Sequence, residues 1–232
     1  VGLFSSSWLA FLSLALAPLY ILLLGIESYG LIGLYIAGLG IGGLLDVALS
    51  STVSREISWK KARPGEQIEI GPLLRSAEII YWLIVSTTVI GVLILGLVYS
   101  PNWIQSRGLS DAQVQGALVL MLISLGIQIP TGLYNASLIS LNHQARSAML
   151  LGGFGTIRGV GAALLAWSVS SDIRVFFLFH VAMAVMQLVV LREQAWSYVR
   201  LLGGRPYFSS KSLQSIRKPV GAMFCITLLG VM

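Results

Sequence analysis

The sequence predicts an all-α fold, a polytopic transmembrane helix bundle with six full spans and the start of a seventh. Three observations predict it. Hydrophobic residues make up 56% of the 232-residue chain and charged residues only 10%, with a mean hydropathy of +0.85, where soluble domains carry roughly 25% charged residues. The apolar residues fall in runs of about twenty, the length at which a helix crosses a hydrocarbon core of roughly 30 Å. The runs also lack the alternating period of barrel strands, and helices and closed barrels are the structures that satisfy every backbone group in lipid.

The spans are expected at 4–26, 31–53, 77–99, 116–139, 148–169 and 175–191, and a seventh opens near Val220. The chain starts at Val1 and stops at Met232 inside an apolar run, so both ends read as cut, with no cleavable signal before the first span. Domain organisation follows: a helical lobe over 1–200, a cytoplasmic linker over 201–218 and the start of a second lobe over 219–232. Gly203, Gly204, Arg205 and Pro206 give that linker the composition of a hinge.

Basic residues set the orientation. Arg55, Lys60, Lys61, Arg63 and Arg75 follow the second span, Arg146 follows the fourth, and Arg192, Arg200, Arg205, Lys211, Arg217 and Lys218 follow the sixth. The opposite connections hold Arg107 and Arg174. By the positive-inside rule the even-numbered spans end in the cytoplasm and the N-terminus starts there. Tyr99 and Trp103 suit an aromatic belt at the outer interface. The net charge of +6 therefore reads as topology rather than as a nucleic-acid surface. Cys225, the one cysteine, permits no disulfide framework and reads as a small buried hydrophobe.

Polar residues inside the spans carry the functional information, because a charge at a helix centre costs about 2.5–3.5 kcal/mol on insertion scales. In the second span Gly38, Gly42, Asp46, Ser50 and Ser54 recur every four residues, one small and polar stripe. Asp46 is either a packing group or a cavity residue linked to ion or proton coupling. Arg55 reads as an interfacial arginine that snorkels. The fourth span carries Ser124, Gln128, Thr131, Asn135 and Asn142 around Pro130, a polar face on a helix whose proline frees backbone carbonyls. It suits either an aqueous pathway or interhelical hydrogen bonding.

Arg158 is the most informative residue. It lies about ten residues into the fifth span beside Gly155 and Gly159, and a guanidinium with a pKa above 12 must pair, bind an anion or reach water. Two roles follow: a cavity or substrate contact, or a structural ion pair with Asp46 or Glu78. His180 shares a face with Ala184 and Gln187 and is either a neutral hydrogen-bonded ring or a proton relay. Glu78, at the cytoplasmic end of the third span, is expected to be exposed at the interface, with proton coupling as its other role.

Motifs for soluble chemistry are missing from the sequence. Two histidines and one cysteine form no metal-ligand pattern, no phosphate-binding loop exists, and the glycines of 38–43 lie within a span rather than after a strand. No cofactor, no metal, no nucleic-acid partner and no enzymatic activity are expected.

Tyr29–Tyr35 with Leu44–Ser50, Ile129–Asn135 and Thr156–Ala162 are three stretches that together resemble the Wzx-type oligosaccharide flippases, the polysaccharide transporter branch of the superfamily that also holds the MATE exporters. Tyr29-Gly30-Leu31-Ile32-Gly33-Leu34-Tyr35, with Leu44-Leu45-Asp46-Val47-Ala48-Leu49-Ser50 and Ser54-Arg55-Glu56, is similar to that family's second-helix pattern. Ile129-Pro130-Thr131-Gly132-Leu133-Tyr134-Asn135, continuing to Asn142-His143-Gln144, is similar to its fourth-helix segment. It departs where the family shows Gln-Arg-Gln, with Arg146 nearby as a substitute cation. Thr156-Ile157-Arg158-Gly159-Val160-Gly161-Ala162 is similar to its fifth-helix segment.

The resemblance implies the first lobe of a two-lobe transporter in the bacterial inner membrane. Its implied activity is alternating-access movement of undecaprenyl-pyrophosphate-linked repeat units for surface polysaccharide or O-antigen synthesis. The partners implied are the lipid-linked oligosaccharide, membrane lipids, a polysaccharide polymerase and a chain-length regulator. Arg158 would meet the pyrophosphate, and Gln128, Thr131 and Asn135 the sugar hydroxyls. A MATE-like small-molecule exporter is the nearest alternative. A membrane-embedded polymerase or glycosyltransferase is the alternative from another class.

Overall fold

The computed structural model describes residues 2–99 and 108–208. Tyr99's side chain, Trp103, Arg107, Lys211, Arg217, Lys218, Cys225 and the expected seventh span from Val220 lie outside the described residues. Within them the chain is all-α. Helix α1 runs over Gly2–Leu24, α2 over Ile26–Ala62, α3 over Ile70–Tyr99, α4 over Asp111–Ser140, α5 over Gln144–Ser168 and α6 over Ile173–Leu201, with a 3-10 turn at Gln67–Glu69 before α3. All six long helices contain a stretch apolar enough to cross a membrane. The chain is a multi-pass membrane protein.

The expected spans match these helices in number and order, but most helices are longer than their apolar runs. Helix α2 has 37 residues, about 55 Å at 1.5 Å per residue, and carries Arg55, Lys60 and Lys61 on its last turns. Arg75 belongs to α3, and Arg192 and Arg200 to α6. Much of the basic charge expected in connecting loops thus sits on helix ends, because leaving the hydrocarbon does not oblige a helix to stop. The turn after α2 is held by Lys60–Glu69 at 2.5 Å and Arg63–Glu66 at 3.2 Å.

Two helix ends show what does stop them. At the end of α4, Asn142 takes φ +69°, the His143 N–H reaches the Leu138 carbonyl at 2.8 Å, and the Asn142 N–H reaches Ile139 at 2.9 Å. This is a Schellman cap, with asparagine in the left-handed position. Asn142 therefore belongs to the cap and not, as expected, to the polar face of the helix. Gly203 (φ +82°) closes α6 in the same way, with Gly204 N–H to Val199 and Gly203 N–H to Arg200, each at 3.0 Å.

The chain divides into two compact units. The first comprises 1–39, 86–127 and 148–187; the second comprises 40–85, 128–147 and 188–232. The first unit's core contains Tyr20, Leu31, Tyr35, Met121, Ala162, Ala163, Phe176 and Phe177. Its glycines seat neighbouring side chains: a Cβ at Gly155 would meet Leu9 at 2.5 Å, and one at Gly159 would meet Leu16 at 3.0 Å. Small residues let α5 close on α1, the packing that membrane helices use where lipid is as apolar as the interface. Tyr20 Oη adds a bond to the Gly159 carbonyl at 2.8 Å. The second unit buries Val53, Ile57, Leu73, Leu74, Tyr81, Leu133, Tyr134, Leu191 and Val199.

Candidate functional site

In the first unit, Arg158 projects from α5 toward α6, where its Nη2 donates to Gln187 Oε1 at 2.5 Å. Gln187 is 7% exposed and Arg158 is half-buried, so the bond is partly shielded from solvent, which strengthens a charge-assisted contact. The Gln187 acceptor is a neutral carboxamide, which orients the guanidinium. Arg158 is also within electrostatic range of Tyr35 and His180. Tyr35 Oη pairs with Ser124 Oγ at 3.0 Å, and the Tyr35 and His180 rings meet edge to face at 5.5 Å.

His180 is 6% exposed. Its Nδ1 lies 3.0 Å from the Phe176 carbonyl. A carbonyl only accepts, so Nδ1 carries a proton, and Nε2 is left as the acceptor whenever the ring is neutral. The ring also stacks on Phe176 at 4.3 Å. His180 and Gln187 share the buried face that their spacing predicts. Four helices thus supply one polar cluster: Tyr35, Ser124, Arg158, His180 and Gln187.

The sequence left two roles for Arg158, a cavity or substrate contact and a structural ion pair with Asp46 or Glu78. The described bond goes instead to Gln187, and each carboxylate has its own partners. A hydrogen-bonded carboxamide is an admissible partner because a guanidinium needs acceptors as well as countercharge.

In the second unit, Asp46 Oδ1 accepts the Tyr81 hydroxyl at 2.9 Å. The carboxylate lies against the backbone of Gly132, where any Cβ would overlap it. The repeating stripe of α2 faces α4: Gly38 meets Leu125 in the first unit, while in the second Gly42 meets Ile129 and Ser54 Oγ pairs with Ser140 Oγ at 2.6 Å. Gly132 on α4 receives the charged side chain of this stripe.

The α4 polar residues are less uniform. Thr131 is nearly buried and donates to the Gln128 carbonyl at 2.5 Å; such back-bonding bends helices and here adjoins Pro130. Gln128 and Asn135 are half-buried, and Asn135 accepts a short bond from Ser147. Arg146 is exposed and lies along Tyr198, with Nη1 2.8 Å from its hydroxyl, while His143 stacks on the same ring at 3.6 Å.

Glu78 overturns the expectation of interfacial exposure. It is 2% exposed, because three helices converge on it. Tyr134 Oη donates to it at 2.8 Å, Trp196 Nε1 at 2.6 Å and Arg75 Nη1 at 2.6 Å, and Arg192 Nε lies 3.5 Å away. A carboxylate with this many donors is satisfied without water, which is what permits its burial. Tyr35, Tyr81, Gly132, Tyr134, Gln187 and Trp196 are among the residues that sequence reasoning left without a site role. A hydroxyl or indole N–H inside an apolar run needs a buried acceptor, and that rule flags Tyr81 and Trp196.

Among the described residues no group of three His, Cys, Asp or Glu side chains is placed to hold a metal. No protein-family model matches the chain, and neither a curated protein nor a solved structure matches it.

Proposed function

We propose that this chain is part of a flippase that carries a lipid-linked oligosaccharide headgroup across the bacterial cytoplasmic membrane by alternating access, with its N-terminus in the cytoplasm. The observation that carries the proposal is Arg158, a permanent cation in the apolar length of α5, oriented by a buried neutral carboxamide. An anion such as pyrophosphate is the ligand whose charge complements it, and the guanidinium fork matches phosphate oxygens in geometry as well as charge. The three sequence stretches similar to Wzx-type flippases support the same chemistry.

Each side chain then has a task. Gln187 fixes the plane of the guanidinium. Gln128, Thr131 and Asn135 offer hydrogen-bonding groups suited to sugar hydroxyls. Asp46, whose described bond is to a tyrosine rather than to a cation, is the group proposed for ion or proton coupling, with His180 second. A cationic-drug exporter calls for acidic lining, which Arg158 opposes.

The proposal is tested by reconstituting the full-length protein in vesicles with a fluorescent lipid-linked saccharide and following headgroup access to an impermeant quencher. Protein-dependent exchange between leaflets supports it. Transport of a free cationic drug with no exchange of the lipid overturns it.

A further inference from the structure

In the second unit a cleft of about 370 Å³ is lined by Arg75, Arg192, Glu193, Trp196, Arg200 and Pro206. On α6, Arg192, Trp196 and Arg200 recur every four residues and so share one face; α3 adds Arg75. Glu78 lies buried behind them and holds Arg75 and Arg192 in place. Arg200 is held from the other side, by Glu193 Oε2 and the Trp196 carbonyl, each at 3.2 Å.

These contacts occupy few of the five N–H donors that each guanidinium carries, and all three side chains keep substantial exposure. The three arginines exceed the two carboxylates, so an anion entering the cleft meets a net positive charge. Position adds a second constraint. Arg192 is the first residue after the apolar run of α6 and Arg75 stands two residues before that of α3, so the cationic face begins where hydrocarbon gives way to headgroups. The segment after α6 completes the wall: a Cβ at Gly71 would meet the Arg205 carbonyl oxygen at 2.5 Å, so this glycine lets the chain bearing Pro206 lie close on the start of α3.

We propose that this cleft binds the phosphate of an anionic lipid headgroup, with Arg75, Arg192 and Arg200 as ligands and the Trp196 ring as an interfacial wall. The site uses none of the residues assigned to transport, so it stands or falls separately from the flippase proposal.

The test is native mass spectrometry of the full-length protein in neutral detergent, titrated with phosphatidylglycerol, phosphatidylcholine, or inorganic phosphate and pyrophosphate. Retention of one phosphatidylglycerol in preference to phosphatidylcholine is expected, weakened roughly tenfold or more by Arg200→Gln, as for loss of one charge-assisted bond. Arg200→Gln leaves the Glu78 contacts untouched, and Arg192→Gln provides a second variant. Arg174→Gln, an arginine outside the cleft, leaves retention unchanged. Equal retention in wild type and both cleft variants overturns the proposal. So does saturable binding of inorganic phosphate or pyrophosphate with no preference for phosphatidylglycerol, which would assign the cleft to a soluble anion.

Discussion

The carboxylate of Asp46 on α2 occupies the space that a side chain would fill at Gly132 on α4. Tyr81 on α3 donates to the same carboxylate at 2.9 Å, so three helices meet at one ionisable group. A glycine is required at 132 for that reason and not for its backbone angles.

Gly132→Ala should therefore displace Asp46 or separate the helices, at a cost of about 1–3 kcal/mol, as for overpacking. Tyr81→Phe removes one bond to a charged acceptor and should cost about 1.5–3 kcal/mol. Thermal unfolding of the purified protein in detergent measures both. If Asp46 couples transport to an ion, both variants also lose the dependence of transport on the ion gradient, whereas Ser54→Ala on the same stripe retains it.

Gln187→Leu should be worse than its size suggests. It removes the bond that Arg158 Nη2 donates to Gln187, and losing a hydrogen bond to a charged group costs about 1.5–3 kcal/mol. A double variant with Arg158→Met should recover part of that loss in the same unfolding measurement. Additive losses would show that the two residues are not coupled.

Glu78→Gln keeps an acceptor for Tyr134 and Trp196 but removes the countercharge of Arg75 and Arg192. Breaking a fully buried pair costs about 3–5 kcal/mol. These arginines are about half exposed, so a smaller loss of about 1–3 kcal/mol is expected after allowing for solvent screening. Rising salt should narrow the difference between variant and wild type.

Asp172 caps α6, with Oδ1 accepting the Arg174 N–H at 2.8 Å. The Arg174 side chain's hydrogen bonds hold the Asp172 carboxyl below its ordinary range. A lowered folded-state value means that this contribution is present above the unfolded value, about 3.9, and is lost as pH falls below it through the folded value. Asp172→Ala should cost about 1 kcal/mol, typical of a lost cap. The gap between wild type and variant should close below about pH 4, as read from unfolding midpoints across pH.

Hydropathy located all six helices because each must present a long apolar run to lipid, and that signal is local. Helix ends were less legible. The lengthening of α2 to Ala62 follows no apolar run, and the cap at Asn142 depends on one left-handed residue. Spacing placed Gln187 and His180 on one face, yet it did not reveal that Gln187 would hold Arg158, 29 residues away. Glu78 was the largest miss: at the edge of an apolar run it looks interfacial, and its burial depends on Tyr134 and Trp196, 56 and 118 residues away. Pairings over such distances are set by how helices pack, which no single-span pattern encodes.

Arg158 remains the residue on which the functional proposal turns. The most direct measurement is leaflet exchange of a fluorescent lipid-linked saccharide in vesicles holding wild-type protein, Arg158→Lys or Arg158→Ala, each first shown to be folded by its unfolding midpoint. The prediction is loss of exchange in Arg158→Ala and partial activity in Arg158→Lys, which keeps the charge but not the bidentate fork. Exchange at the wild-type rate by folded Arg158→Ala would contradict the proposal.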